Sequence, residues 1–240
     1  MKHIVKENSP EAQAFEAWKQ TWELTKQDLI NNSQLSEQKK ETWEKLSGTD
    51  KQNVKLSLLK EQGFICCYCQ RLISLDRNTI IEHFNARSTN PEQMFDYENM
   101  FACCDGGDSD RTNKIRTPVY CGAKKDDKSL AINPLDAHCE KHFNYIKVDS
   151  PDKDNKPLVI IEAVTNEGKD AIRILNLDNK SLREMRGEFI DGFIQGISEE
   201  EIEELLPIIK NKKADGKFFP FCVALEQILQ NLQSGQDHVF

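Results

Sequence analysis

Glu82 and His83 stand side by side at the end of a short apolar run, Ile80-Ile81. Six cysteines bracket them: Cys66, Cys67 and Cys69 before, Cys103, Cys104 and Cys121 after. A carboxylate offers a hard oxygen to magnesium or manganese, and a neutral imidazole can take a proton from water. The pair therefore suits metal-assisted hydrolysis of a phosphodiester. The thiols suit a different ion. Cys66-x-x-Cys69 is a strong half-site for structural zinc, because two-residue spacing lets both thiolates of a tight turn reach one tetrahedral ion. The other half is irregular. Cys103 and Cys104 are adjacent, so only one easily faces that ion, and sixteen residues separate Cys104 from Cys121. The favoured set is Cys66, Cys69, Cys104 and Cys121, with Cys67 and Cys103 as neighbours facing elsewhere; the rival set uses Cys103. Two blander readings compete. One is a chain of unliganded buried thiols. The other is a redox pair at Cys66-x-x-Cys69, which needs a long helix after the motif that this sequence does not supply.

The remaining composition bounds the setting. A chain of 240 residues with 38% hydrophobic content suffices for one large domain or two small ones. It has no run of 18 apolar residues, and Met1–Glu7 lacks the apolar core of a secretory signal. A cytoplasmic location, with reduced cysteines and no membrane, is the expectation. The net charge of −8 is uneven. Residues 129–240 carry thirteen basic against twenty acidic side chains, whereas residues 63–128 carry nine against ten. The central stretch is near neutral, with Arg71, Arg77, Arg87, Arg111, Lys114, Arg116, Lys124, Lys125 and Lys128 available for phosphates. A free-standing DNA binder is usually more basic, so weak intrinsic binding or a partner that delivers the substrate is expected.

The elements that must position these residues follow from period and punctuation. Ser9-Pro10-Glu11 starts a helix carrying Phe15, Trp18, Trp22 and Leu29, and a charged segment around 36–46 follows with Trp43 and Leu46. Thr49-Asp50 caps a helix bearing Val54, Leu58 and Leu59, which ends at Gly63. Phe64–Cys69 with Arg71–Ile73, and Asn78–Phe84, read as short strands. The stretch 105–116 reads as a loop, and Gly122–Leu130 as a short helix. Pro151–Pro157 is a polar turn. Leu158–Val164 is the strongest strand signal, and helices are expected over 169–175, 182–194, 199–209 and 220–232. Phe189, Phe193, Phe218, Phe219 and Phe221 read as core, and Cys222 as a buried thiol.

Together these motifs resemble the HNH endonucleases, whose ββα-metal motif is tied by structural zinc in many members. More closely, four stretches are similar to the HNH subfamily of PtuB, the nuclease subunit of Septu antiphage defence systems, including retron-associated ones. They are Cys66-Cys67-Tyr68-Cys69, Ile81-Glu82-His83-Phe84-x-x-Arg87-Ser88, Phe95-Asp96-Tyr97-x-Asn99-Met100-Phe101-x-x-Cys104 and Cys121-x-x-x-Lys125-x-Asp127-Lys128. Ile132-Asn133-Pro134-Leu135 and Glu140-Lys141-His142-Phe143-x-Tyr145 share the likeness, which covers about the first 145 residues. The fold it implies is α+β and mostly helical. N-terminal helices (1–62) precede an HNH core with zinc (63–145), and a strand plus helices (146–240) serves packing or partner docking.

The resemblance implies His83 as general base, Glu82 as ligand of a catalytic magnesium or manganese, and Asn99 as the residue that fixes the loop through backbone hydrogen bonds. Arg87, Lys124, Lys125 and Lys128 are the candidate nucleic-acid contacts, the three lysines reading equally as solvated charges with Asp126 and Asp127 between them. One departure stands out. Members commonly place an ion-binding Asn or His directly after the last Cys; here that residue is Gly122, so Asp126, Asp127, His142 or water must complete the shell. For His142 a packing or capping role is the favoured reading over that of a ligand. The implied partner is a PtuA-like ABC-type ATPase, with a retron reverse transcriptase and its DNA in some systems. The substrate is DNA or, in retron systems, transfer RNA. A non-catalytic zinc scaffold is the alternative from another class.

Overall fold

Two small antiparallel sheets, each backed by helices, carry an α+β fold. The computed structural model describes residues 1–21, 43, 46–107, 118–148 and 157–235. The expected positions Trp22 and Leu29, most of the segment 36–46, most of the loop 105–116 with Arg111, Lys114 and Arg116, and the turn 151–156 lie outside these residues.

Helix α1 (Pro10–Thr21) begins where Ser9 Oγ accepts the Ala12 N–H at 3.1 Å, and Pro10 has no N–H to leave unpaired there. Helix α2 (Gly48–Glu61) is capped by Ser47, whose hydroxyl accepts from Asp50 N; the cap lies just upstream of the expected Thr49-Asp50. Its end needs glycine for two reasons. Gly63 has φ +57°, and an added Cβ would stand 2.4 Å from the Phe218 ring.

Strands β1 (Thr79–His83) and β2 (Met100–Cys104) pair with Ile80 opposite Cys103, Ile81 opposite Ala102 and Glu82 opposite Phe101. Successive strand residues face opposite sides, so the hairpin is a wall between two cores. Ile81, Met100 and Ala102 pack with Phe15, Val54, Leu58, Leu59 and Met94. Phe101 and Cys103 pack with Cys66, Cys121, Tyr145 and Phe221. The Gln62 amide staples α2 to this wall, donating to Ala102 O at 2.7 Å and accepting from Ala102 N at 2.7 Å. Between β2 and the second sheet lies the short helix α3 (Cys121–Lys125).

Strands β3 (Phe143–Val148) and β4 (Leu158–Ala163) pair with Tyr145 opposite Ile161. Around them pack α4 (Asn166–Leu175), α5 (Lys180–Ile194), α6 (Glu199–Ile209) and α7 (Cys222–Gln233). Buried Arg186 threads this layer, donating to Val159 O at 3.0 Å and Leu177 O at 2.9 Å.

Two expectations change. Phe64–Ile73 forms only the isolated bridge Ile65–Leu72 instead of two strands. Strands β2 and β3 stand where the sequence predicts none; Met100–Cys104 is buried throughout and carries no alternation to mark it. One apolar cluster runs from Met1 to Leu229 and includes Phe143 and Tyr145 of β3. Among the described residues no helix is long and apolar enough to cross a membrane.

Candidate active site and thiol cluster

The sulfurs of Cys66, Cys103, Cys104 and Cys121 all lie within 4.8 Å of one another, and all four residues are buried. Cys66 Sγ is 3.7 Å from Cys103 Sγ and 3.9 Å from Cys121 Sγ, and Cys69 Sγ is 3.9 Å from Cys104 Sγ. Zinc bonds of about 2.3 Å in a tetrahedron put sulfurs about 3.8 Å apart, so the spacing suits zinc. The expected set and the geometric set differ by one thiol, Cys69 against Cys103. Both adjacent cysteines reach the cluster because β2 ends at Cys104, which releases its side chain from strand alternation.

The thiol loop and α3 are held for this purpose. Cys66 N bonds Arg71 O at 2.9 Å, Cys67 N bonds Ala102 O at 3.2 Å, and Cys121 enters the cluster from a left-handed backbone (φ +53°), a costly conformation for a residue with a Cβ. Burial pushes the thiols of Cys69, Cys103 and Cys121 up. Burial acts on Cys66 too, but its hydrogen bonds with Cys103, Cys104, Cys121 and Cys67 override it and hold Cys66 well below the usual thiol range. A zinc ion held by these residues would displace the protons of the neighbouring thiols. Cys139 and Cys222 are buried elsewhere, directed at Pro134 O and Gln70 Oε1.

Glu82 shares the thiol side of the hairpin. Its Oε1 accepts from Tyr68 OH at 3.1 Å and pairs with Lys125 Nζ at 3.1 Å. Its Oε2 lies against Gly122, where an added Cβ would stand 2.6 Å away. Burial pushes the carboxyl up, and Lys125 and Tyr68 pull it back. Lys125 also donates to His83 O at 3.1 Å and is only 1% exposed, with its ammonium turned to Glu82 and the strand end.

His83 faces the other side. Its Nε2 is 2.9 Å from Met94 O, a pure acceptor, so Nε2 carries a hydrogen, and in the neutral ring the lone pair is on Nδ1. The Trp43 indole packs edge-on to the ring at 4.9 Å, and the Arg87 guanidinium lies 5.0 Å from the Trp43 ring centre. Asn99 builds the loop that supplies Met94. Its Oδ1 accepts from Asn85 N at 2.7 Å, and its Nδ2 donates to Asn85 O at 3.0 Å and Gln93 O at 3.2 Å.

The other named residues are not gathered here. Lys124, Asp126, Asp127 and Lys128 are exposed around the end of α3. His142 shares a 2.6 Å hydrogen bond with Thr165, the cap of α4, in the second sheet layer. Among the described residues the thiols are the one group of three or more His, Cys, Asp or Glu side chains close enough to hold an ion. Glu82 Oε2, to which neither Tyr68 nor Lys125 is bonded, is the carboxylate oxygen that could take a hard cation. That suits magnesium, which usually keeps waters and borrows phosphate oxygens from its substrate. Sequence reasoning missed Tyr68, Trp43 and the Met94 carbonyl. Tyr68 lay inside a thiol motif where an aromatic reads as packing, and a backbone carbonyl leaves no mark in a sequence.

No protein-family model matches the chain. Over 86 residues it is 31% identical to a candidate HNH endonuclease of retron Vc95 from Vibrio cholerae serotype O1 biovar El Tor. The match covers 35% of this chain and 38% of that protein, so the chain spans well under half of the relative's length. This partial similarity supports a relation to HNH endonucleases of retrons.

Proposed function

We propose that the chain is a metal-dependent HNH-type endonuclease that hydrolyses nucleic-acid phosphodiester bonds, with DNA as the favoured substrate. The observation that carries this is the Glu82-His83 strand end itself: the carboxylate is clamped by Tyr68 and Lys125, and the imidazole is fixed in one tautomer by Met94 O, beside a cluster of zinc-compatible thiols.

In this reading a phosphodiester lies across the end of β1. His83 Nδ1 takes a proton from the water that attacks phosphorus, and Nε2–H holds the ring against Met94 O throughout. Magnesium or manganese, when bound through Glu82 Oε2, supplies positive charge to the scissile phosphate. Arg87, whose guanidinium lies on the Trp43 ring beside His83, contacts a flanking phosphate. The thiols hold zinc and thereby lock the Cys66 turn, the end of β2 and the start of α3 together.

Near-neutral charge in the central stretch supports delivery of substrate by a partner, and the proposal includes a PtuA-like ABC-type ATPase in an antiphage, retron-type system. Transfer RNA is the alternative substrate to DNA in such a system. The deep burial of Glu82 and His83, 8% and 6% exposed, favours a rival reading as a non-catalytic zinc scaffold. Incubating the zinc-loaded protein, alone and with its ATPase partner, with plasmid, single-stranded DNA and total tRNA decides among them. Magnesium- or manganese-dependent cleavage identifies the nuclease and its substrate; intact nucleic acid in every arm leaves the scaffold.

A further inference from the structure

Lys125 is the group that touches both members of the acid–histidine pair. Its Nζ lies 3.1 Å from Glu82 Oε1 and 3.1 Å from the carbonyl oxygen of His83, and it is 1% exposed. Both named donors to Glu82, Tyr68 and Lys125, act on Oε1. The other oxygen faces Gly122, and the missing side chain there is what gives it room. The carboxylate is therefore oriented as a one-oxygen ligand whose charge is already balanced by a buried ammonium.

We infer that Lys125 is a positioning residue that makes divalent-ion binding at Glu82 depend on nucleic acid. A divalent ion on Oε2 shares one negative charge with the ammonium a few ångströms away, and like charges in a buried site repel strongly. The ion alone finds too little negative charge to bind tightly. A phosphodiester seated across the strand end adds the missing anion and its oxygens, so ion and substrate bind with positive coupling. The inference rests on the nuclease reading of this site, and it adds the order of assembly: nucleic acid first or together with the ion, never the ion alone at low concentration.

The test measures Mn2+ affinity by electron paramagnetic resonance of the free ion, on full-length zinc-loaded protein. A His83→Ala background prevents cleavage, with and without oligodeoxynucleotide or tRNA. With Lys125 intact, nucleic acid tightens Mn2+ binding by about tenfold or more. Lys125→Met tightens Mn2+ binding without nucleic acid by a comparable factor, at unchanged zinc content, and shrinks the coupling. Glu82→Gln abolishes the site in both settings. A merely structural lysine predicts the opposite sign, weaker Mn2+ binding in Lys125→Met. That result, or equal Mn2+ affinity with and without nucleic acid when Lys125 is intact, overturns the inference; the second comparison stands even where Lys125→Met does not fold. Failure of the nuclease reading looks different: no cleavage of any nucleic acid by the parent, whatever Mn2+ does at Glu82.

Discussion

Gly122 has no room for a side chain because Glu82 stands in its way: an added Cβ would lie 2.6 Å from Glu82 Oε2 and 3.4 Å from Cys103 Sγ. The blocking atom is the tip of a side chain, so the fold can yield where the site cannot. Gly122→Asn places the commoner HNH residue at this position, yet it must swing Glu82 off Tyr68 and Lys125. We expect a stability loss of about 1 kcal/mol and a rate loss of about 10–100-fold. Melting curves and initial cleavage rates read the two effects. Faster cleavage by the Asn variant would show that Glu82 does not need its present position.

The thiols make a second prediction. Five sulfurs compete for four tetrahedral positions, and the mutually closest group contains Cys103. Cys66→Ser, Cys103→Ser, Cys104→Ser and Cys121→Ser should each lose zinc by mass spectrometry of the native protein, and chelation should lower the melting temperature. Cys139→Ser and Cys222→Ser should keep a full equivalent. Zinc lost in Cys69→Ser but retained in Cys103→Ser would assign the ion to the spacing-based set instead.

Asn99 carries the loop on which His83 leans. Asn99→Ala strips three hydrogen bonds from the backbone of Asn85 and Gln93, two of them accepted by carbonyls that then need other donors. A cost of about 1–3 kcal/mol in urea unfolding is expected, with slower cleavage as the Met94 carbonyl drifts. Parent-like stability in this variant would mean that the loop is held by other contacts.

How much of this could be read from the residues alone varies with the kind of interaction. Ser9, Gly63 and the 199–209 helix were legible because caps, left-handed glycines and helical period are local. Glu82, His83 and the thiols announced themselves by type and spacing. Lys125 carries a charge that in sequence implies solvent, yet the packing of α3 against the hairpin brings its buried ammonium to Glu82. Trp43 shows in sequence only its three-residue spacing to Leu46, while its ring packs edge-on against His83 across 40 residues of chain. Such long-range pairings depend on topology and leave no short-range pattern.

The catalytic role of His83 is the centre of the account, and one comparison tests it directly. Cleavage of the substrate found for the parent is measured for His83→Ala at matched zinc content and melting temperature. Loss of the general base predicts a rate lower by about 10²–10⁴. Cleavage at the parent's rate would contradict the assignment, and with it the reading of this strand end as an active site.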